Sequence, residues 1–171
     1  MKIVRIDSDN TACLMADSAW RPHRRPYFVP ETDVPVCEIR PVLRIDRLGK
    51  AISAKFAHRY IGAWTAACFM RPSTACDSAV PAGMLDDSLI VGEWHNLPQG
   101  QTDINLNGDT AWWGLDATAA AELLARLSQA ATFKTGDMIV LPHVLFSFTP
   151  VAGTSVNLAA AKSTILEFNI R

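Results

Sequence analysis

The chain has 171 residues, 49% of them apolar, a formal net charge of −1 and a pI of about 6.4. That length can bury one sizeable core. No apolar run reaches the roughly eighteen residues that span a membrane, and the basic surplus of a nucleic-acid binder is missing. The opening Met-Lys-Ile-Val-Arg-Ile-Asp places charges where an export signal needs an unbroken apolar stretch, which predicts a soluble, cytoplasmic protein. Cys13, Cys37, Cys68 and Cys76 form no C-x-x-C pair of the zinc-site type and are expected as reduced, mostly buried thiols.

In chain order, Pro22, Pro26, Pro30 and Pro35 stand too close together for a long helix. They predict an extended, turning arm over residues 1–35, ahead of a core domain at 36–171. The basic cluster from Arg21 to Arg25, with His23, reads as a solvated loop. Residues 37–45 alternate, with Cys37, Ile39, Leu43 and Ile45 on one face and Glu38, Arg40 and Arg44 on the other; Val42 is the exception. This is the pattern of a half-buried strand. Pro41 has no N–H to give to a ladder, so the strand is expected at an edge or bulged there.

Leu48-Gly49-Lys50 predicts a turn, and residues 53–59 suit a short helix with Ser53 as N-cap. Residues 60–70 are almost wholly apolar and predict a buried strand, or a short helix followed by one; periodicity does not choose. Residues 71–83 read as a loop of small residues and 88–94 as a strand. Asn107-Gly108, between residues 104–106 and 110–113, is a hairpin signal, because these two residue types accept the positive φ angles of a type I′ turn. Strong helix formers predict a helix over 117–129, capped by Asp116 or Thr118, that buries Leu123, Leu124 and Leu127. Lys134 to Asp137 turns the chain into an apolar strand over 138–148 interrupted at Pro142. A last strand, 163–170, has Leu166, Phe168 and Ile170 on one face. Six or so strands and one or two helices make an antiparallel-leaning α+β, mainly β domain.

Three stretches, in order, resemble the core of the fumarylacetoacetate hydrolase family. Residues 38–50, Glu-Ile-Arg-Pro-Val-Leu-Arg-Ile-Asp-Arg-Leu-Gly-Lys, with Ala57 and Tyr60-Ile-Gly-Ala-Trp-Thr-Ala-Ala67, are similar to its E-x-E-L-x-V-x-I-x-x-x-G-K strand and Y-x-x-G-Y-T-x-x-N-D segment. Asp86 with Gly92 and Trp94 is similar to the K-x-F-D stretch. Ser128 with residues 132–139, Thr-Phe-Lys-Thr-Gly-Asp-Met-Ile, is similar to the S-x-x-x-T-L-x-x-G-D-x-I segment before T-G-T-P. The resemblance covers about residues 36–171. It implies a mixed β-sandwich roll with one main helix, usually paired as a homodimer. It also implies a Mg²⁺ or Mn²⁺ on acidic side chains that acts as a Lewis acid on a β-dicarbonyl or 2-oxo acid substrate.

Matched one position at a time, most of that site is replaced. Glu38 keeps the first carboxylate of E-x-E and is the only retained ligand position; Arg40 stands at the second. The aspartate falls at Phe69, or at Cys68 if the match slips by one. The lysine falls at Gly83 and the T-G at Leu141-Pro142, and residues 1–35 offer no clear counterpart to the catalytic histidine segment. Residues 38 and 40 share a strand face, so Arg40 is expected to point where the cation would sit and to satisfy Glu38 directly.

The expectation is a non-catalytic, metal-free relative with no cofactor, whose pocket candidates are Glu38, Arg40, Phe69 and His95. Its partners would be a second copy of the chain and a small carboxylate, with neither nucleic acid nor membrane. The rival is an active hydrolase, decarboxylase or isomerase, using Mg²⁺ or Mn²⁺, or Arg40 on a substrate carboxylate.

Other residues invite chemistry but carry plainer readings. Glu93 and His95 lie two apart near the pocket region. His143 reads as a hydrogen-bonded core histidine, Cys68 as an inert thiol, Trp112-Trp113 as half-buried core or subunit contact, and Asp86-Asp87 as an exposed turn. No phosphate-cradling glycine loop or nucleophile elbow is present.

Overall fold

The computed structural model describes residues 1–31, 34–72, 85–161 and 163–171; Cys76 and Gly83 therefore lie outside the described residues. Its strands are β1 (Ile3–Ile6), β2 (Ala12–Met15), β3 (Trp20–Pro22), β4 (Val36–Ile45), β5 (Ile61–Arg71), β6 (Leu89–Val91), β7 (Thr102–Leu106), β8 (Asp109–Trp113), β9 (Met138–Val140), β10 (Phe146–Phe148), β11 (Ser155–Ala160) and β12 (Ser163–Asn169). The helices are α1 (Ala54–Ala57) and α2 (Ala117–Ala130). The larger sheet runs β2-β1-β9-β4-β5-β6-β3, with β10 also on β4, and the smaller runs β12-β11-β7-β8. This is an α+β, mainly β fold with one main helix, as expected.

The long antiparallel pair of β4 and β5 organises the larger sheet. One face of that pair, with Ile39, Leu43, Trp64 and Cys68, packs on α2 and the smaller sheet through Leu124, Leu158 and Phe168. The other face, with Val42, Ala67 and Phe69, gathers Ile3, Met15, Leu89 and Val91 into a second core. β4 is thus buried on both faces, where alternation predicts one face in water; Glu38 and Arg40 are each 7% exposed.

Pro41 is at neither an edge nor a bulge, and the register shift falls between Arg44 and Ile45. Its carbonyl accepts from the Leu141 N–H, and Ile39 then serves Leu145. The missing N–H therefore faces the interval where β9 has ended and β10 has not begun, so no ladder bond is lost. Pro142 makes that interval on the other strand.

The first 35 residues, which proline spacing marks as an arm, supply three strands. β1 pairs parallel with β9 and antiparallel with β2, and β3 pairs parallel with β6 at the far edge of the sheet. Pro22 is tolerated because β3 has no strand beyond it. Beyond β6, Gly92 donates to the Ala66 carbonyl (3.1 Å) and Glu93 to that of Ile165 (2.7 Å), tying the two sheets together.

The Asn107-Gly108 hairpin forms as its chemistry demands, with φ of 51° and 110°. Ser53 sits at the N-cap of α1 without a capping side-chain bond, whereas Asp116 caps α2, accepting from the N–H groups of Thr118 (2.9 Å) and Ala119 (3.0 Å). Leu124 is buried, while Leu123 and Leu127 are only partly so. Asp116→Ala is expected to cost about 1 kcal/mol, the usual worth of such a cap. A thermal melt followed by circular dichroism should show a Tm lower by roughly 3 °C for a chain of this size; an unchanged Tm would mean the cap contributes nothing.

Candidate functional site

Strand alternation places Arg5, Glu38, Arg40, Phe69 and Arg71 on the same face as Ile3, Val42 and Ala67. The β4–β5 register sets Phe69 directly opposite Glu38. Cys68 is opposite Ile39 and turns the other way, so of the two alternatives at the family's aspartate position it is Phe69 that faces the site.

Both oxygens of Glu38 are engaged. Oε2 accepts from Arg40 Nε at 2.8 Å and also from Arg40 Nη2, and Oε1 accepts from Arg71 Nε at 2.9 Å. Arg40 spends Nη1 on the Ile6 carbonyl (3.2 Å), and its guanidinium lies 5.6 Å from the Phe69 ring centre. Arg5 lies over the same ring at 4.8 Å and forks onto Asp7 at 2.8 and 2.9 Å. Burial pushes the Asp7 carboxyl up, but the Arg5 hydrogen bond and charge, the Cys13 thiol and the Arg40 charge together outweigh it and hold it below its usual value. The Cys13 thiol is pushed up, by burial first and then by the hydrogen bond and charge of Asp7.

Among the described residues no three His, Cys, Asp or Glu side chains converge as metal ligands. A hard divalent ion asks for several oxygen donors, and here the one carboxylate at the matching positions is clasped by two guanidinium groups. The described residues do not fit Mg²⁺ or Mn²⁺.

His95 is not brought to this cluster. Its backbone bridges Trp64, five residues along β5 from Phe69 and therefore roughly 16 Å away on the opposite face. Its ring stands 6.4 Å from that of Trp64, and its buried Nε2 has no hydrogen-bond partner. Glu93 is exposed and paired with Arg24 (2.7 Å) and His23 (3.7 Å). The basic cluster is partly packed: Arg21 is 9% exposed and donates to the Pro26 carbonyl, and burial, then the Arg24 charge, lower the His23 pKa against the pull of Glu93 and Glu167.

His143 is exposed and not a core histidine, because the break at Pro142 carries it out of the sheet. It stands on the wall of a cavity of about 640 Å³ with Leu123, Arg126 and Trp112. Trp112 is 65% exposed, while Trp113 is buried against Trp64 with ring centres 4.4 Å apart. Burial first, then the hydrogen bond and charge of Cys37 and the charge of Glu38, push the Cys68 thiol well up. Arg5 and Arg71 are the members of the site that sequence reasoning missed, Arg5 because it lies in the stretch read as an arm and Arg71 because the strand reaches one residue into the stretch read as a loop, which puts it on the face of Phe69.

No family model and no curated protein matches the sequence. Solved structures do match the fold. The chain is similar to a 2-hydroxyhepta-2,4-diene-1,7-dioate isomerase from Mycobacterium marinum, with 18% identity, TM-score 0.79, and 99% of this chain and 73% of that one covered. It is also similar to a 5-carboxymethyl-2-hydroxymuconate delta-isomerase from Mycobacterium smegmatis, with 16% identity, TM-score 0.78 and coverage of 99% and 78%. A third neighbour is a protein from Yersinia pestis CO92, provisionally assigned to the fumarylacetoacetate hydrolase family, with 15% identity, TM-score 0.75 and coverage of 99% and 92%. No helix among the described residues is long and apolar enough to cross a membrane.

Proposed function

We propose that this chain, which has the fold of the fumarylacetoacetate hydrolase family, is a divergent, non-catalytic and metal-free form of it, with a residual small-carboxylate pocket that Glu38 fills from within. The observation that carries the proposal is the double clasp on Glu38, whose two oxygens are taken by Arg40 and Arg71. A carboxylate so held is charge-compensated without a cation, and the metal-assisted route to an enolate, in which a divalent ion polarises the carbonyl oxygen, has no ligand set among the described residues to support it. The active-enzyme reading, with Arg40 gripping a substrate carboxylate, is less well supported. Arg40 already spends Nε and Nη2 on Glu38 and Nη1 on the Ile6 carbonyl.

The test is calorimetric titration with Mg²⁺ and Mn²⁺, together with turnover assays on an acylpyruvate and on oxaloacetate, with and without the ions. Neither stoichiometric binding nor turnover is expected. The double variant Arg40→Glu/Phe69→Asp serves as the positive control, since it would set two new carboxylates beside Glu38 on one face, and it is expected to take up Mn²⁺. One ion per wild-type chain, or metal-dependent turnover, would overturn the proposal.

A further inference from the structure

We propose that the core sulfurs of Cys37, Cys68 and Met70 form a binding site for a soft monovalent metal ion, Cu(I), entered through the cavity beside Tyr27. The register sets Cys37 on β4 opposite Met70 on β5, with Cys68 two residues back on the same face. Cys37 Sγ lies 3.2 Å from Met70 Sδ, and all three side chains belong to the same buried core. Three sulfur-bearing side chains from two adjacent strands therefore share one buried face at the end of the β4–β5 ladder.

Their surroundings suit the same ion. Cys37 and Cys68 are fully buried and Met70 is 3% exposed, so no bulk water competes for the metal. Thiolate and thioether donors select Cu(I), whereas Mg²⁺ and Ca²⁺ demand oxygen and zinc favours four tetrahedral ligands. Glu38 cannot substitute as a ligand, because it points from the other face of β4.

The way in is a cavity of about 180 Å³ lined by Tyr27, Pro30, Pro35, Met70 and Pro72, with two acidic residues, Asp86 and Asp87, the second of them paired with Arg21 at 3.5 Å. Tyr27 is half-buried on its wall.

The step is a coordination with proton release. Cu(I) takes one electron pair from each sulfur, and at least one thiol proton leaves to solvent. With one proton lost, an ion shared by one thiolate, one thiol and one thioether leaves no net charge in the core, which avoids the cost of burying an unpaired ion.

The experiment is an anaerobic titration of the full chain carrying Cys13→Ser and Cys76→Ser, which leaves Cys37 and Cys68 as its only thiols. Cu(I) is supplied from a chromophoric copper(I) chelator that competes for it. One Cu(I) per chain should be retained, with three sulfur neighbours counted by X-ray absorption. Cys37→Ser and Cys68→Ala should each weaken retention by at least about 100-fold, since even outer partners of a metal are worth 10 to 100-fold. Met70→Leu, which keeps the volume of the side chain, should weaken it by about tenfold at unchanged circular dichroism. If the folded chain surrenders all its Cu(I) to the chelator, or if retention is indifferent to Cys37→Ser and Met70→Leu, the sulfurs are core packing only and the proposal is overturned.

Discussion

Arg40→Ala is expected to destabilise the folded chain by about 3 kcal/mol, near the lower end of what breaking a buried ion pair costs. Both partners are buried, with side chains 9% exposed. Removing the guanidinium leaves Glu38 with Arg71 alone, whose side chain is 41% exposed and whose attraction is correspondingly screened. The Ile6 carbonyl loses a donor as well, and the Phe69 ring loses the cation above it. The double variant Glu38→Met/Arg40→Met should recover most of the loss, because replacing both members of a buried pair with apolar groups of similar volume removes the desolvation penalty along with the attraction. Urea denaturation of Glu38→Met, Arg40→Met and the double variant closes the cycle, with Arg40→Ala measured beside them. A single variant with wild-type stability would show that Arg40 is not what neutralises Glu38, and the metal-free reading would lose its foundation.

Gly92→Ala is expected to cost about as much, roughly 3 kcal/mol, at the upper end for overpacking. A methyl group on Gly92 would fall on the carbonyl oxygen of Ile165 and 2.9 Å from that of Ala66. Both are backbone atoms held in place by the hydrogen bonds from Glu93 and from Gly92 itself. No rotamer change can relieve the clash, so β5 or β12 must move and the seam between the sheets must open. Gly62→Ala supplies the contrast. There the methyl would strike the Asp46 carboxyl, which is 38% exposed and can rotate away by giving up its bond from Arg44, leaving only the 2.7 Å approach to the Asp46 Cβ for the backbone to absorb, and a smaller loss is expected. Equal losses in the two variants, measured by the same urea titrations, would argue against the backbone seam.

The parts of this fold that could be read in advance are those whose information is local. β4 and β5 announce themselves by length and apolar content, α2 by its helix formers and Asp116, and the hairpin by Asn107-Gly108. β1, β2 and β3 do not, because strands of three or four residues carry almost no periodicity and are held by partners far along the chain. β11 was also missed, although Val156, Leu158 and Ala160 do alternate inward; the run is short and its last member is small. Pro41 misled because a proline's missing donor matters only if a strand stands opposite it, which is a fact about β9 and β10 rather than about β4.

The site divides in the same way. That Glu38 and Arg40 share a face follows from a spacing of two, and the clasp between them follows from chemistry. Which residue of β5 stands beside Glu38, and that His95 is carried to the opposite face, depends on register, which no single strand encodes.

The pairing of β1 with β9 also shapes how the protein is made. As the chain leaves the ribosome the hairpin of β1 and β2 emerges long before its parallel neighbour, which lies far downstream, where the Lys2 amide meets Asp137 across a separation of 135 residues. Until that stretch is synthesised, Ile3, Val4 and Ile6 have no sheet to join, and strands left waiting with bare edges are where nascent chains stick to one another. Newborn copies should accordingly depend on chaperone shelter until β9 has emerged.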